Sequence, residues 1–183
     1  MVTTNSIIAL ALSFFSKEVF HIMISDTFRE GWKVVPLLAN AFVFHSLYIF
    51  FVAPVFAESS KLVPIISISS ALTNIALNFL FIPHWGFLGA GVASLVSMIV
   101  LSIMSFVIGK RALDVGYPCG KMFGAVSGFF GLSCFSYFGF WPNFFFFSFK
   151  VTVFLVILLW FFLVYRAEVQ KILLLLKGKK RSF

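Results

Sequence analysis

Charge is what this sequence lacks most. Of its 183 residues only 11% are charged, and six are acidic. A soluble domain of that length covers itself with Asp, Glu, Lys and Arg, so a water-facing exterior is excluded for most of the chain. Cysteine is scarce as well. Cys119 sits in a charged loop and Cys134 in an apolar run, which makes neither a disulfide framework nor a metal set. The three histidines, His21, His45 and His84, lie far apart and lack metal-ligand spacing. HExxH, a Walker loop, GxSxG and paired carboxylates inside an apolar run are all missing. No enzyme activity, metal or cofactor is expected. The N-terminus also lacks the positive n-region and small-residue cleavage site of a signal peptide, and reads as the remnant of a spanning helix.

What fills the chain instead is hydrocarbon. Apolar residues make up 61% and the mean hydropathy is +1.07. Lipid is the solvent such a composition demands. The expected fold class is all-α, a polytopic integral membrane protein of about six transmembrane helices. The spans fall at about 2–16, 35–56, 62–82, 87–108, 122–140 and 149–165, with a basic tail over 166–183. The first is about fifteen residues, short of the roughly 20 that cross a bilayer. After it, VFHIMISDTFREGWKVVP reads as a short amphipathic helix on the membrane surface.

The formal net charge of +8 does not argue for nucleic acid, because the basic residues cluster beside apolar runs and in the tail. Six spans place ten Lys and Arg on one side, among them Lys61, Lys110, Arg111 and the tail residues. Only Lys17, Arg29, Lys33 and Lys150 fall on the other. That bias puts the C-terminus in the cytoplasm. The bilayer is the first partner implied.

One stretch carries more pattern than the rest: TNIALNFLFIPHWGFLGAGVASLVS, residues 73–97. It reads as two apolar helices joined at Pro83-His84-Trp85-Gly86. Pro83 is expected to stop the first helix, and Gly86 to supply positive φ. Gly89, Ala90, Gly91, Ala93 and Ser94 then open the second helix with side chains small enough for close packing. Asn74 and Asn78, four apart, share a face.

Asn74, Leu77, Asn78, Ile82, Pro83, Gly86, Gly89, Ala90, Ala93 and Ser94 together resemble the corner pattern of the multidrug, oligosaccharidyl-lipid and polysaccharide exporter superfamily. Within it, the resemblance is to the O-antigen and polysaccharide flippases. Ser16, Glu18, Phe28, Glu30 and Val35-Pro36-Leu37-Leu38 are similar to a linking stretch of that group. The resemblance covers roughly residues 5 to 165. It implies an incomplete C-terminal lobe of a flippase in the cytoplasmic membrane, moving lipid-linked oligosaccharide by alternating access in cell-surface polysaccharide biosynthesis. It also implies a second chain to supply the missing lobe. A non-transporting membrane subunit or an inactive fragment is the alternative. A multidrug antiporter is disfavoured by the lack of an intramembrane Asp or Glu.

Rare polar groups within spans are the candidate substrate-binding residues. His45 lies mid-way along the second span, three residues from Tyr48 and near Asn40. It either meets sugar hydroxyls, phosphate or a proton, or bonds a neighbouring helix for packing. Asn74 and Asn78 pose the same choice, with interhelical bonding favoured. The cluster Ser67, Ser69, Ser70 and Thr73 is expected to satisfy nearby backbone.

Overall fold

Long apolar runs without internal glycine clusters or polar breaks leave the backbone one way to satisfy its hydrogen bonds in hydrocarbon, which is to coil on itself. A computed structural model describes residues 2–112, and beyond them 124, 126–128, 130, 131, 133, 151, 152, 154–156 and 159. Among these residues there is helix and no strand. The elements are α1 (Val2–Met23), a 3-10 helix (Asp26–Val34), α2 (Val35–Glu58), α3 (Leu62–Trp85) and α4 (Phe87–Ala112). The four α-helices hold 22, 24, 24 and 26 residues, or about 33–39 Å at 1.5 Å per residue. All four are long and apolar enough to cross a membrane.

Three boundaries differ from expectation. The first span does not end near residue 16, because α1 runs through Lys17 and Glu18 to Met23. Both residues favour helix, and a charge near a helix end is no stop signal. Lys17 is accommodated by laying its Nζ 5.7 Å from the centroid of Trp32. The expected surface helix is accordingly divided. Its first residues finish α1, and only Asp26–Val34 forms a separate 3-10 helix after the extended Ser25. Third, Pro83 does not stop α3, which continues to Trp85. Pro83 forfeits its bond to the Phe79 carbonyl and its ring crowds that carbonyl, but its φ is compatible with helix and only His84 and Trp85 follow it in α3. Phe81 and Trp85 stack across that last turn at 5.0 Å. Gly86, at φ 53°, makes the stop, with its N–H on Ile82 O at 2.8 Å.

Chain order and spatial order differ too. α4 packs between α2 and α3, while α2 and α3 barely touch although three residues join them. α1 lies on the other side of α2, and the 3-10 helix touches α1, α2 and α4. Gly91 lets α4 approach the end of the 3-10 helix and the start of α2, since a Cβ there would sit 2.5 Å from Val34 and 3.2 Å from Leu37. Gly109 lets it approach α2 further along, where a Cβ would sit 2.6 Å from Phe51 O.

Two buried clusters result. Val52, Val55, Val63, Ile66 and Leu101 join α2, α3 and α4. Ala9, Ala39, Val43, Leu47 and Phe51 join α1 and α2, and Val126 packs with them. The described residues of the expected fifth span, 124–133, are helical. The rest of that span, most of the sixth, the 113–123 loop with Cys119, Cys134 and the tail lie outside the described residues. The chain divides into Met1–Gly139 and Phe140–Phe183, and the described residues of the second unit are helical.

Candidate functional site

The five candidate residues do not converge. The structure distributes them over three places.

Asn74 and Asn78 lie on the seam between α3 and α4. Asn78 Nδ2 donates to Asn74 Oδ1 at 2.9 Å, and Asn74 Nδ2 donates to Ser97 Oγ at 3.2 Å. Ser97 Oγ donates to Ser94 O at 2.8 Å, and Ser70 Oγ to Ser97 O at 2.7 Å. Side-chain amides thus form a ladder along the helix pair. Ser69 and Thr73 donate to carbonyls one turn back in their own helix. The corner holds the seam closed: a Cβ on Gly89 would sit 2.4 Å from Phe81 O, so the helices leave Gly86 in near-contact of their backbones.

Asn40 occupies a second polar chain, on the α1 side of α2. Its Nδ2 donates to Pro36 O and to Ser133 Oγ, both at 2.7 Å. Ser133 Oγ donates to Ser13 Oγ at 2.9 Å, and Ser13 Oγ to Ala9 O at 2.7 Å. Asn40, Ser133 and Ser13 are all buried. One turn and a half along, Asn5 Nδ2 donates to Ser46 Oγ at 2.5 Å. Each hydroxyl and amide nitrogen in this chain donates to a partner, so its chemistry is that of a clasp between helices.

His45 and Tyr48 form the third place. Both are half-buried. The imidazole lies between two rings, 5.9 Å from Phe42 and 5.6 Å from Tyr48, tilted about 40° to each. Among the described residues His45 makes no hydrogen bond. Tyr48 packs against the cluster shared with α3 and α4, whereas Asn40 faces Ser133. The expected grouping of Asn40 with His45 and Tyr48 is therefore not formed.

An open groove of about 360 Å³ runs along α3, lined among the described residues by Ile75, Asn78, Phe79, Ile82 and Pro83. Among the described residues, Asn78 Oδ1 is buried without a hydrogen-bond partner. A cavity of about 200 Å³ lies between α1 and α2 over Asn5, Ala9 and Ala39. Among the described residues no three His, Cys, Asp or Glu side chains cluster to hold a metal.

No protein family, curated protein or solved structure matches the chain.

Ser97, Ser133, Ser13, Ser46 and Asn5 complete both clasps, and sequence reasoning passed over them as partners. Serine is common wherever helices pack closely. The available signal was phase: Ser70, Asn74 and Asn78 recur at four-residue spacing, so the facing helix must present polar groups at a matching level.

Proposed function

We propose that this chain takes part in translocating lipid-linked oligosaccharide across the cytoplasmic membrane, as part of a flippase-type lobe. It acts there as a multi-pass protein with its C-terminus in the cytoplasm. The observation that carries this reading is the α3–Gly86–α4 hairpin. Asn74 and Asn78 bond along its seam, Gly86 turns it with positive φ, and Gly89 admits the Phe81 backbone. These are the positions on which the flippase resemblance rests, and each has a physical role that its residue type fits.

Rigid helix pairs suit alternating access, in which one bundle rocks against another around a central path. The two clasps tie α3 to α4 and α1 to α2, and α4 packs on α2 as well, so α1 to α4 move as one such bundle. Among the described residues, His45, Tyr48 and the unpaired oxygen of Asn78 are groups that could meet a substrate, whose hydroxyls supply donors and acceptors. Alternating access requires an opposing lobe for this one to rock against.

The test is deletion of the gene. Surface polysaccharide should fall, lipid-linked repeat units should accumulate, and a plasmid copy should reverse both. Unchanged polysaccharide with no accumulated intermediate would reject the reading. A second reading, a non-transporting subunit, is favoured by one observation: Asn40 and Asn74 spend their donors on neighbouring helices. In that case deletion destabilises a partner chain, and a photoreactive lipid-linked oligosaccharide labels the partner alone.

A further inference from the structure

We infer that the turn between α1 and α2 is an interfacial anchor. It rests on the membrane reading, and the occupant of its free face is the headgroup–acyl boundary of the bilayer. α1 ends at Met23 and α2 begins at Val35, both helices of membrane-crossing length. The 3-10 helix between them therefore lies at the level where the bilayer meets water. Its inner face is committed to the bundle. The Phe20 ring is so close to Gly31 that an added Cβ would sit 2.9 Å from it. Trp32 receives Lys17 at 5.7 Å, and Val34 abuts Gly91.

Three large apolar side chains stand exposed at this turn, two at the end of α1 and one on the 3-10 helix. Ile22 is 85% exposed, Met23 78% and Phe28 70%. Side chains of that size stay in water at a penalty that a nearby acyl layer removes. Side chains of this kind, next to an amphipathic element at helix ends, define a segment lying in the interface plane. Charge narrows the choice of lipid. The 3-10 helix carries Asp26 and Glu30 against Arg29 and Lys33, a net of zero, and Lys33 pairs with Glu30. No cationic surplus is left to select anionic headgroups, so the anchor takes zwitterionic lipid as readily as anionic.

The experiment places an environment-sensitive fluorophore at Phe28→Cys, and separately at Ile22→Cys, with Cys119 and Cys134 replaced by Ser. Each protein is reconstituted in phosphatidylcholine vesicles, with or without phosphatidylglycerol, carrying shallow or deep doxyl quenchers. A label at Ile68→Cys, exposed on α3, reports on membrane embedding itself. Phe28 and Ile22 labels should emit blue-shifted and lose fluorescence to shallow more than to deep quencher, equally in both vesicles. Water-like, unquenched emission at both, with Ile68 quenched by the deep probe, overturns the anchor alone. If Ile68 also escapes quenching, the membrane reading falls and the anchor with it. Quenching that requires phosphatidylglycerol overturns the assignment to neutral lipid.

Discussion

At the scale of single residues, Gly86 and Gly89 separate two reasons for which a chain needs glycine. Gly86 has open space around its missing Cβ but sits at φ 53°, ψ −131°, where other L-residues pay roughly 1–3 kcal/mol. Gly89 has ordinary helical backbone but no room, since a Cβ would meet Phe81 O at 2.4 Å. Backbone cannot step aside as a side chain does, so Gly89→Ala should cost about 1–3 kcal/mol and Gly89→Leu should open the hairpin. Unfolding in mixed micelles, followed by tryptophan fluorescence, measures both. If Gly89→Ala is neutral, the helices do not meet as described. Ser97→Ala removes the acceptor of Asn74 and should cost about 1 kcal/mol. The loss should vanish when Asn74 is already Leu. His45 was easy to single out in the sequence, being one ionisable side chain amid apolar neighbours. Its ring neighbours, Phe42 and Tyr48, follow from three-residue spacing. Its separation from Asn40 also follows from helical phase, because five residues turn the side chain well away, yet closeness in sequence suggested a common site.

Whole elements show a different kind of limit. α2, α3 and α4 were legible because some twenty predominantly apolar residues leave few alternatives, whereas the first span read as too short until Lys17 and Glu18 proved to lie inside α1. Their ends were less legible, because Lys17, Glu18 and Pro83 look like punctuation and the local context overrides each one. Their arrangement was not legible at all. Nothing in composition says that α4 separates α2 from α3; that depends on small residues at Gly91 and Gly109 meeting α2, a pairing between distant segments. The arrangement predicts which connection is dispensable. Because α2 and α3 barely touch, a short Gly-Ser insertion between Ser60 and Lys61 should be tolerated. Each doubling of a flexible loop costs only about 0.6 kcal/mol. The same insertion between Gly86 and Phe87 should be severely destabilising, because it parts Gly89 from Phe81 and the Asn74–Ser97 bond from its register. Equal thermal stability of the two insertion variants would contradict the packing order.

For the molecule as a whole, the open quantity is which end faces the cytoplasm, and the described helices balance on that point. Gly91 meets Val34 and Gly109 meets Phe51, so the start of α4 lies beside the start of α2 and its end beside the end of α2. Lys17, Arg29 and Lys33 therefore gather at one end of the bundle, and Lys61, Lys110 and Arg111 at the other. Three against three gives the positive-inside bias no direction. The decision falls to Lys121, Arg166, Lys171 and the Lys177–Arg181 group, all outside the described residues. If 122–140 and 149–165 both cross, those charges join the Lys61 end, with Lys150 alone added to the other, and hold it in the cytoplasm. With Cys119 and Cys134 replaced by Ser, a cysteine at Ser60 should then react with an impermeant maleimide only in inverted vesicles, and a cysteine at His84 only in intact cells. Replacing Arg166, Lys171, Lys177, Lys179, Lys180 and Arg181 with Gln removes most of the asymmetry, so Ser60→Cys should become reactive from both sides, reporting a mixture of orientations. A charge-stripped chain that still inserts in a single orientation would show that the apolar helices, and not the basic tail, set its direction.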